Sequence, residues 1–113
     1  MKWEEDDLIE NLLPQHGLNK KSKVFLHLVK FMCELDKERQ KQFLTFVTGT
    51  SRLPVGGFKA LSPKLTVVSR TCNEYENPDC FLPTVMTCQN YLKLPNYSTY
   101  EILKEKIIYI SYE

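Results

Sequence analysis

The chain has 113 residues, 42% of them hydrophobic and 12% aromatic, with a formal net charge of +1. That length suits one domain, and a charge so near neutrality argues against a nucleic-acid-binding or membrane-attracted surface. No apolar run is long enough to span a bilayer. The charged opening Met1-Lys2-Trp3-Glu4-Glu5 does not read as a signal peptide, so a reducing compartment, cytoplasm or nucleus, is expected, with the four cysteines as free thiols.

In chain order, the first apolar residues are Trp3, Leu8, Ile9, Leu12 and Leu13. The spacing of Leu8 and Leu12 predicts a short helix over residues 6–13, docked on some apolar surface and started by acidic residues that suit the helix dipole. Lys20, Lys21 and Lys23 form a small basic cluster, expected to be a solvated turn rather than a phosphate site. Ser22 is a good N-cap for the next helix. Val24, Phe25, Leu28, Phe31, Met32 and Leu35 give that helix a broad apolar face, with Lys23, His27, Lys30 and Glu34 on its polar side. Asp36 should cap a second helix over Lys37–Thr48, stopped by Gly49.

After Arg52-Leu53-Pro54 the texture changes. Gly56-Gly57 reads as a turn, and short extended pieces are predicted at residues 58–61, 65–69, 85–88 and 91–94. Residues 70–79, polar and containing Asn77-Pro78, read as a surface loop. A capping-box spacing from Ser98 to Glu101 opens a last helix, whose Leu103, Ile107 and Ile110 are expected to pack on the sheet. Together these elements predict an α+β domain: a small, mainly antiparallel sheet with helices packed on it.

The chemistry concentrates in one run, Leu82-Pro83 followed by Thr87-Cys88-Gln89-Asn90-Tyr91-Leu92-Lys93-Leu94-Pro95-Asn96-Tyr97. The prolines deny the backbone a regular ladder on either side of Cys88, while Leu82, Leu92, Leu94 and Tyr97 can anchor both flanks in a core. The expected result is a thiol on a short pinned turn at the rim of a sheet, able to meet a bulky partner. An ordinary thiol, with a reference pKa of about 8.5, already supplies some thiolate at neutral pH. Thr87 reads equally as a hydroxyl donor near the sulfur and as a β-branched strand residue. Asn90 suits holding the turn through its side-chain amide.

Other chemistry fits less well. His16 and His27 are both expected in solvent, which leaves a cysteine protease without a base. Arg52 suits an ion pair or capping of helix carbonyls. Thr71-Cys72-Asn73 echoes the Cys88 step but lies in the polar loop without the Leu-x-Leu-Pro continuation. Cys72, Cys80 and Cys88 lack the close pair of a zinc site, a Cys72–Cys80 disulfide would need oxidation, and Cys33 is expected in the core. No cofactor or metal is expected.

The Cys88 run resembles the catalytic segment of HECT ubiquitin ligases, in which Leu-Pro precedes Thr-Cys-x-Asn-x-Leu-x-Leu-Pro-x-Tyr. The stretch from Phe43 through Gly49-Thr50-Ser51-Arg52-Leu53-Pro54-Val55-Gly56-Gly57-Phe58 is similar to the helix-to-strand junction of that domain. His16-Gly17-Leu18 with Ser22 is similar to the hinge between its two lobes. The wording around Cys88 is nearest the thyroid-receptor-interactor and plant ubiquitin-ligase subtype. The resemblance implies a C-terminal catalytic lobe over residues 18–113, preceded at residues 1–17 by the end of the N-lobe and a mobile hinge. It implies that Cys88 takes ubiquitin from a conjugating enzyme as a thioester and passes it to a substrate lysine, with Thr87, Asn90, Leu92, Leu94 and Pro95 in support. Ubiquitin, a conjugating enzyme, a protein substrate and the chain's own N-lobe would be its partners.

Met86 and Gln89 stand where many family members carry His and Phe. The family's short C-terminal tail is expected beyond Glu113, so the lobe alone should be only partly active. The reading from another class is a non-catalytic ubiquitin-binding or scaffold module of the same fold with an inert Cys88. Exposure of that thiol separates the two.

Overall fold

A computed structural model of the chain describes residues 2–111. Its first helix, α1 (Glu5–Asn11), is closed by the Asn11 side chain, whose Nδ2 donates to the Asp7 carbonyl at 2.9 Å and the Asp7 carboxylate at 2.8 Å. Leu12 then turns extended and leads into a strand, β1 (Leu13–Gln15). Leu8 and Leu12 are fully buried, and Trp3 sets its ring edge against Phe58 at 5.0 Å and Phe43 at 6.3 Å. The segment expected as a lobe end and hinge is thus built into the same core and sheet as the rest. Its apolar side chains find cover on the next helix and on the turn that holds Phe58.

Helices α2 (Lys23–Cys33) and α3 (Lys37–Thr48) follow the apolar spacing closely: Val24, Phe25, Leu28, Phe31, Met32 and Leu35 are all buried, and Phe43, Leu44 and Val47 face them. Asp36 caps α3, its Oδ1 accepting from the Arg39 N–H at 2.8 Å. Gly49 ends α3 at φ 84, a left-handed C-terminal stop. Ser22 occupies the predicted cap position of α2, but its hydroxyl accepts from the Asn19 N–H at 2.9 Å and makes no bond to the helix. Cys33 is half-buried at the edge of the core rather than inside it.

The remaining elements are β2 (Thr66–Ser69), β3 (Thr84–Met86), β4 (Tyr91–Leu94) and α4 (Tyr100–Ser111). The domain is α+β as expected, but the sheet is mixed rather than mainly antiparallel. Its order is β1-β2-β4-β3, with β1, β2 and β4 parallel and only β3 antiparallel to β4. A parallel pair needs a long crossover, and α2 with α3 supplies it between β1 and β2. The strand predicted at residues 58–61 is a 3-10 turn, Gly57–Lys59: Gly56 at φ 100 and Gly57 at φ 72 swing Phe58 inward beneath Trp3. The strand predicted at residues 85–88 stops at Met86.

Two expectations about the helices also change. The cap of α4 comes from Thr99, whose Oγ1 accepts from the Ile102 N–H at 3.1 Å. Ser98 is drawn instead to Asp79, donating its N–H at 2.8 Å and its hydroxyl at 2.6 Å. Leu103 and Ile107 are buried, yet α4 packs chiefly on α2 and α3 rather than on the sheet. That docking covers His27, which is half-buried with its ring edge on Tyr100 at 5.9 Å and its Nδ1 without a hydrogen-bond partner. Burial, then the Lys23 and Lys30 ammonium groups, pull its pKa down.

Candidate functional site

Cys88 lies at the tip of the β3–β4 hairpin. The two strands pair Thr84 with Lys93, Val85 with Leu92 and Met86 with Tyr91, and a 3-10 turn, Thr87–Gln89, joins them. Thr87, Cys88 and Gln89 are all exposed, and Met86 beside them is 46% exposed. The sulfur is therefore offered to solvent on a rigid corner, not stored in the core.

What makes the corner rigid lies on both sides of it. Leu92 and Leu94 are fully buried and Pro95 is buried, so β4 is anchored immediately after the turn. On the β3 side, Val85 packs against the core from its edge. Tyr97 is also fully buried, and its hydroxyl donates to the Phe81 carbonyl at 2.6 Å, tying the strand leading out of the hairpin to the one leading in. Burial pushes the Tyr97 phenol up, so it stays protonated and remains a donor. Arg70 adds a second tie: its guanidinium donates to the Leu82 carbonyl at 3.0 Å and lies 4.6 Å from the Phe81 ring centre.

Asn90 closes the turn in the left-handed region, at φ 51 and ψ 51. Its N–H donates to the Thr87 carbonyl at 3.2 Å. The sequence reading has its side-chain amide holding the turn from within; the amide instead donates outside it, to the Pro63 carbonyl at 2.8 Å. Thr87 stands against the C-terminal end of α3: a Cβ built on Gly49 would lie 3.6 Å from the Thr87 Cβ. Leu82, predicted as an anchor, is half-buried.

Neither histidine serves the thiol as a base would. His27 is held in the α2–α4 layer against Tyr100, and His16 sits at φ 48 in the turn after β1, its carbonyl accepting from the Ser69 N–H at 3.2 Å. Among the described residues no group of three His, Cys, Asp or Glu is placed to hold a metal ion. The cleft on the hairpin itself, lined by Thr84, Val85, Met86, Tyr91 and Lys93, has a volume of only about 90 Å³. Small-molecule sites run from about 300 Å³ upward, so this surface suits a macromolecular partner better than an enclosed ligand. A larger groove of about 440 Å³ runs between α3 and α4 past Phe46 and Ile110, with no lining residue from the hairpin. All four cysteines are free; Cys80 and Cys88 are exposed, and Cys33 and Cys72 are partly covered.

The profile of the HECT-domain (ubiquitin-transferase) family matches residues 1–111. The chain belongs to the HECT family. It is 50% identical over 106 residues to E3 ubiquitin-protein ligase TRIP12 of Danio rerio, a match covering 94% of the chain and 5% of that protein. Against E3 ubiquitin-protein ligase UPL3 of Arabidopsis thaliana the identity is 44%, covering 95% of the chain and 6% of the relative. Ubiquitin fusion degradation protein 4 of Saccharomyces cerevisiae is 38% identical over 93% of the chain and 7% of its own length. This HECT chain is thus of the TRIP12 and UPL subtype and spans 5–7% of the length of these relatives. No helix among its described residues is long and apolar enough to cross a membrane.

Several residues that shape the HECT hairpin were not apparent from sequence: Gly49, Pro63, Arg70 and Phe81. From sequence Gly49 reads as a helix stop with no link to Thr87, and the others carry no local signal, because each meets a partner a dozen or more residues away.

Proposed function

We propose that this chain is the ubiquitin-accepting part of a HECT ubiquitin ligase, with Cys88 as the acceptor. The observation that carries the reading is an exposed thiol on a turn anchored by the fully buried Leu92 and Leu94 on one side and by the half-buried Val85 on the other. The Cys88 thiolate attacks the carbonyl of the thioester that links ubiquitin to a conjugating enzyme. A new carbon–sulfur bond forms, the old one breaks, and the departing enzyme thiolate takes up a proton. One thioester replaces another, so the step is nearly thermoneutral and needs no cofactor. A substrate lysine, as the free amine, then attacks the Cys88 thioester: a carbon–nitrogen bond forms, the carbon–sulfur bond breaks with Cys88 leaving as thiolate, and the nitrogen gives up one proton to water or to that thiolate.

Thr87, Asn90, Leu92, Leu94 and Pro95 serve this chemistry by fixing where the sulfur sits. Residues 18–113 supply the lobe that carries the acceptor, and residues 1–17 travel with it because α1 and β1 share its core and sheet. Ubiquitin, a conjugating enzyme, a protein substrate and an N-lobe that recruits the conjugating enzyme are its partners. Four free cysteines suit a reducing compartment, cytoplasm or nucleus.

Ubiquitin activated as a C-terminal thioester to a small thiol tests the acceptor without an N-lobe. The chain should gain one ubiquitin in an adduct released by reductant, and Cys88→Ser should form instead an ester that reductant leaves intact. A chain that stays unmodified, or an adduct that forms equally on Cys88→Ala, overturns the proposal.

A further inference from the structure

We infer that Asn90 is the positioning residue for the Cys88 thiol, acting by tethering the catalytic turn to the loop at residues 63–66. The inference deepens the reading of Cys88 as the ubiquitin acceptor and rests on it. Asn90 stands two residues after Cys88 and is only 7% exposed. Three hydrogen bonds converge on it. Its N–H closes the 3-10 turn onto Thr87, its carbonyl accepts from the Thr66 N–H at 2.8 Å, and its Nδ2 donates to the Pro63 carbonyl at 2.8 Å. One bond shapes the turn; the other two fasten it to a segment more than twenty residues away in sequence. That segment is braced in turn, since Lys64 Nζ donates to the Lys59 carbonyl at 2.9 Å and the Thr66 hydroxyl donates to the Lys64 carbonyl at 3.0 Å.

The backbone of Asn90 explains why the residue type matters. At φ 51 and ψ 51 most side chains are strained, and glycine and asparagine are the residues that tolerate the conformation. Glycine would satisfy the backbone and omit the tether. Asparagine satisfies both, because its amide is a donor of the right length facing the Pro63 carbonyl. Cys88 therefore lies between Thr87, which stands beside the C-terminal end of α3, and Asn90, which is fastened to Pro63 and Thr66.

Positioning and exposure have different consequences. A small alkylating agent reaches an exposed thiol from many directions. A thioester at the end of a folded protein must meet the sulfur along one path, and a misplacement of about 1 Å can cost up to about a hundredfold in rate. Loss of the tether should therefore slow ubiquitin transfer and spare alkylation.

The test compares wild type with Asn90→Gly, which keeps the left-handed turn without strain, and Asn90→Asp, which keeps the shape but cannot donate to Pro63. Two rates are measured on the full chain, at a temperature where circular dichroism shows all three folded. One is transfer from ubiquitin activated as a thioester to a small thiol; the other is alkylation of Cys88 by iodoacetamide. The expected result is a fall of about tenfold in transfer for both variants, with alkylation within about twofold of wild type. Transfer at the wild-type rate overturns the inference, and so does a parallel fall in both rates. Should the variants not fold, hydrogen exchange on wild type decides: a slow Thr66 amide supports the tether, and one exchanging as fast as the exposed loop amides overturns it. Failure of wild type to accept ubiquitin while its Cys88 alkylates normally instead refutes the acceptor reading itself.

Discussion

The chain contains two Thr-Cys steps sixteen residues apart, Thr71-Cys72 and Thr87-Cys88, and the fold treats them in opposite ways. Cys72 sits in the loop at residues 70–80, partly covered, with its thiol 3.9 Å from the Arg70 carbonyl. That loop is held by its own turns: Asn73 Oδ1 accepts from the Tyr75 N–H at 2.9 Å, Glu76 Oε1 accepts from the Asn73 N–H at 3.0 Å, and Tyr75 is 90% exposed. Cys88 is exposed, but the residues just beyond it are among the most deeply buried in the molecule. The comparison teaches that how firmly an exposed thiol is presented depends less on the cysteine's immediate neighbours than on anchors two to six residues away. The Cys72 sulfur is partly covered in a loop held by its own local turns, whereas the Cys88 sulfur is presented on a hairpin anchored in the core.

The sharpest way to break this contrast is to remove each sulfur in turn. Cys88→Ala should abolish the reductant-sensitive ubiquitin adduct, while Cys72→Ala and Cys80→Ala should leave its yield unchanged on a non-reducing gel. An adduct that depends on Cys72 would reverse the two regions' roles.

Next in size is the cost of the anchors. Leu92→Ala should lower the unfolding free energy by about 2–5 kcal/mol, because it opens a cavity beneath the hairpin. Tyr75→Ala in the exposed loop should change it by no more than about 0.5 kcal/mol. Urea denaturation measures both, and equal effects would show that the hairpin is no better anchored than the loop.

A smaller effect is expected at Tyr97→Phe. It removes the hydroxyl that donates to the Phe81 carbonyl and leaves that carbonyl without its donor, at a cost of about 1–3 kcal/mol. Alkylation of Cys88 should accelerate or slow only in proportion to the fraction unfolded; a large change in the folded protein would show that Tyr97 acts on the thiol directly.

The smallest prediction lies in the helical layer, away from both cysteines. His27 has its pKa lowered in the folded chain, so above about pH 6.5, the unfolded reference, it is neutral in both states. As pH falls below that value the unfolded chain takes up a proton that the native chain resists. Stability therefore falls until the folded imidazole also titrates, and levels off below. The urea midpoint should decline from pH 7 to pH 5, less steeply in His27→Gln, with the Cys88 alkylation rate of the folded protein following the same pH profile in both. Identical slopes for the two proteins would show that the α2–α4 contact does not depend on a neutral His27.

Much of this was readable from the chain itself. The apolar spacing along α2 and α3, the Asp36 cap, the Gly49 stop and the buried leucines after Cys88 are all local patterns, decided within a turn of helix or a few strand residues. The Cys88 run also carried enough specific residues to suggest a family before any fold was known. The local pattern fails where a residue's partner is remote. β1 is three residues long and contains Pro14, so nothing local announces it; it is a strand because β2 lies alongside. The 3-10 turn at Gly57–Lys59 looked extended, but Phe58 is pulled inward by Trp3, more than fifty residues earlier. Ser98 had the spacing of a cap and was claimed by Asp79 instead.

By itself, then, the sequence determined where the helices run, which faces they bury and which thiol lies between two anchored flanks. These follow from side-chain period and backbone restriction, which act over a few residues. Only the tertiary structure decided that the sheet is mixed, that α1 and β1 join the core, and that Asn90 reaches Pro63 rather than its own turn. A hydrogen bond or a packed ring is satisfied by whichever partner folding brings within about 3–4 Å, and the choice among distant partners is made by the whole chain at once.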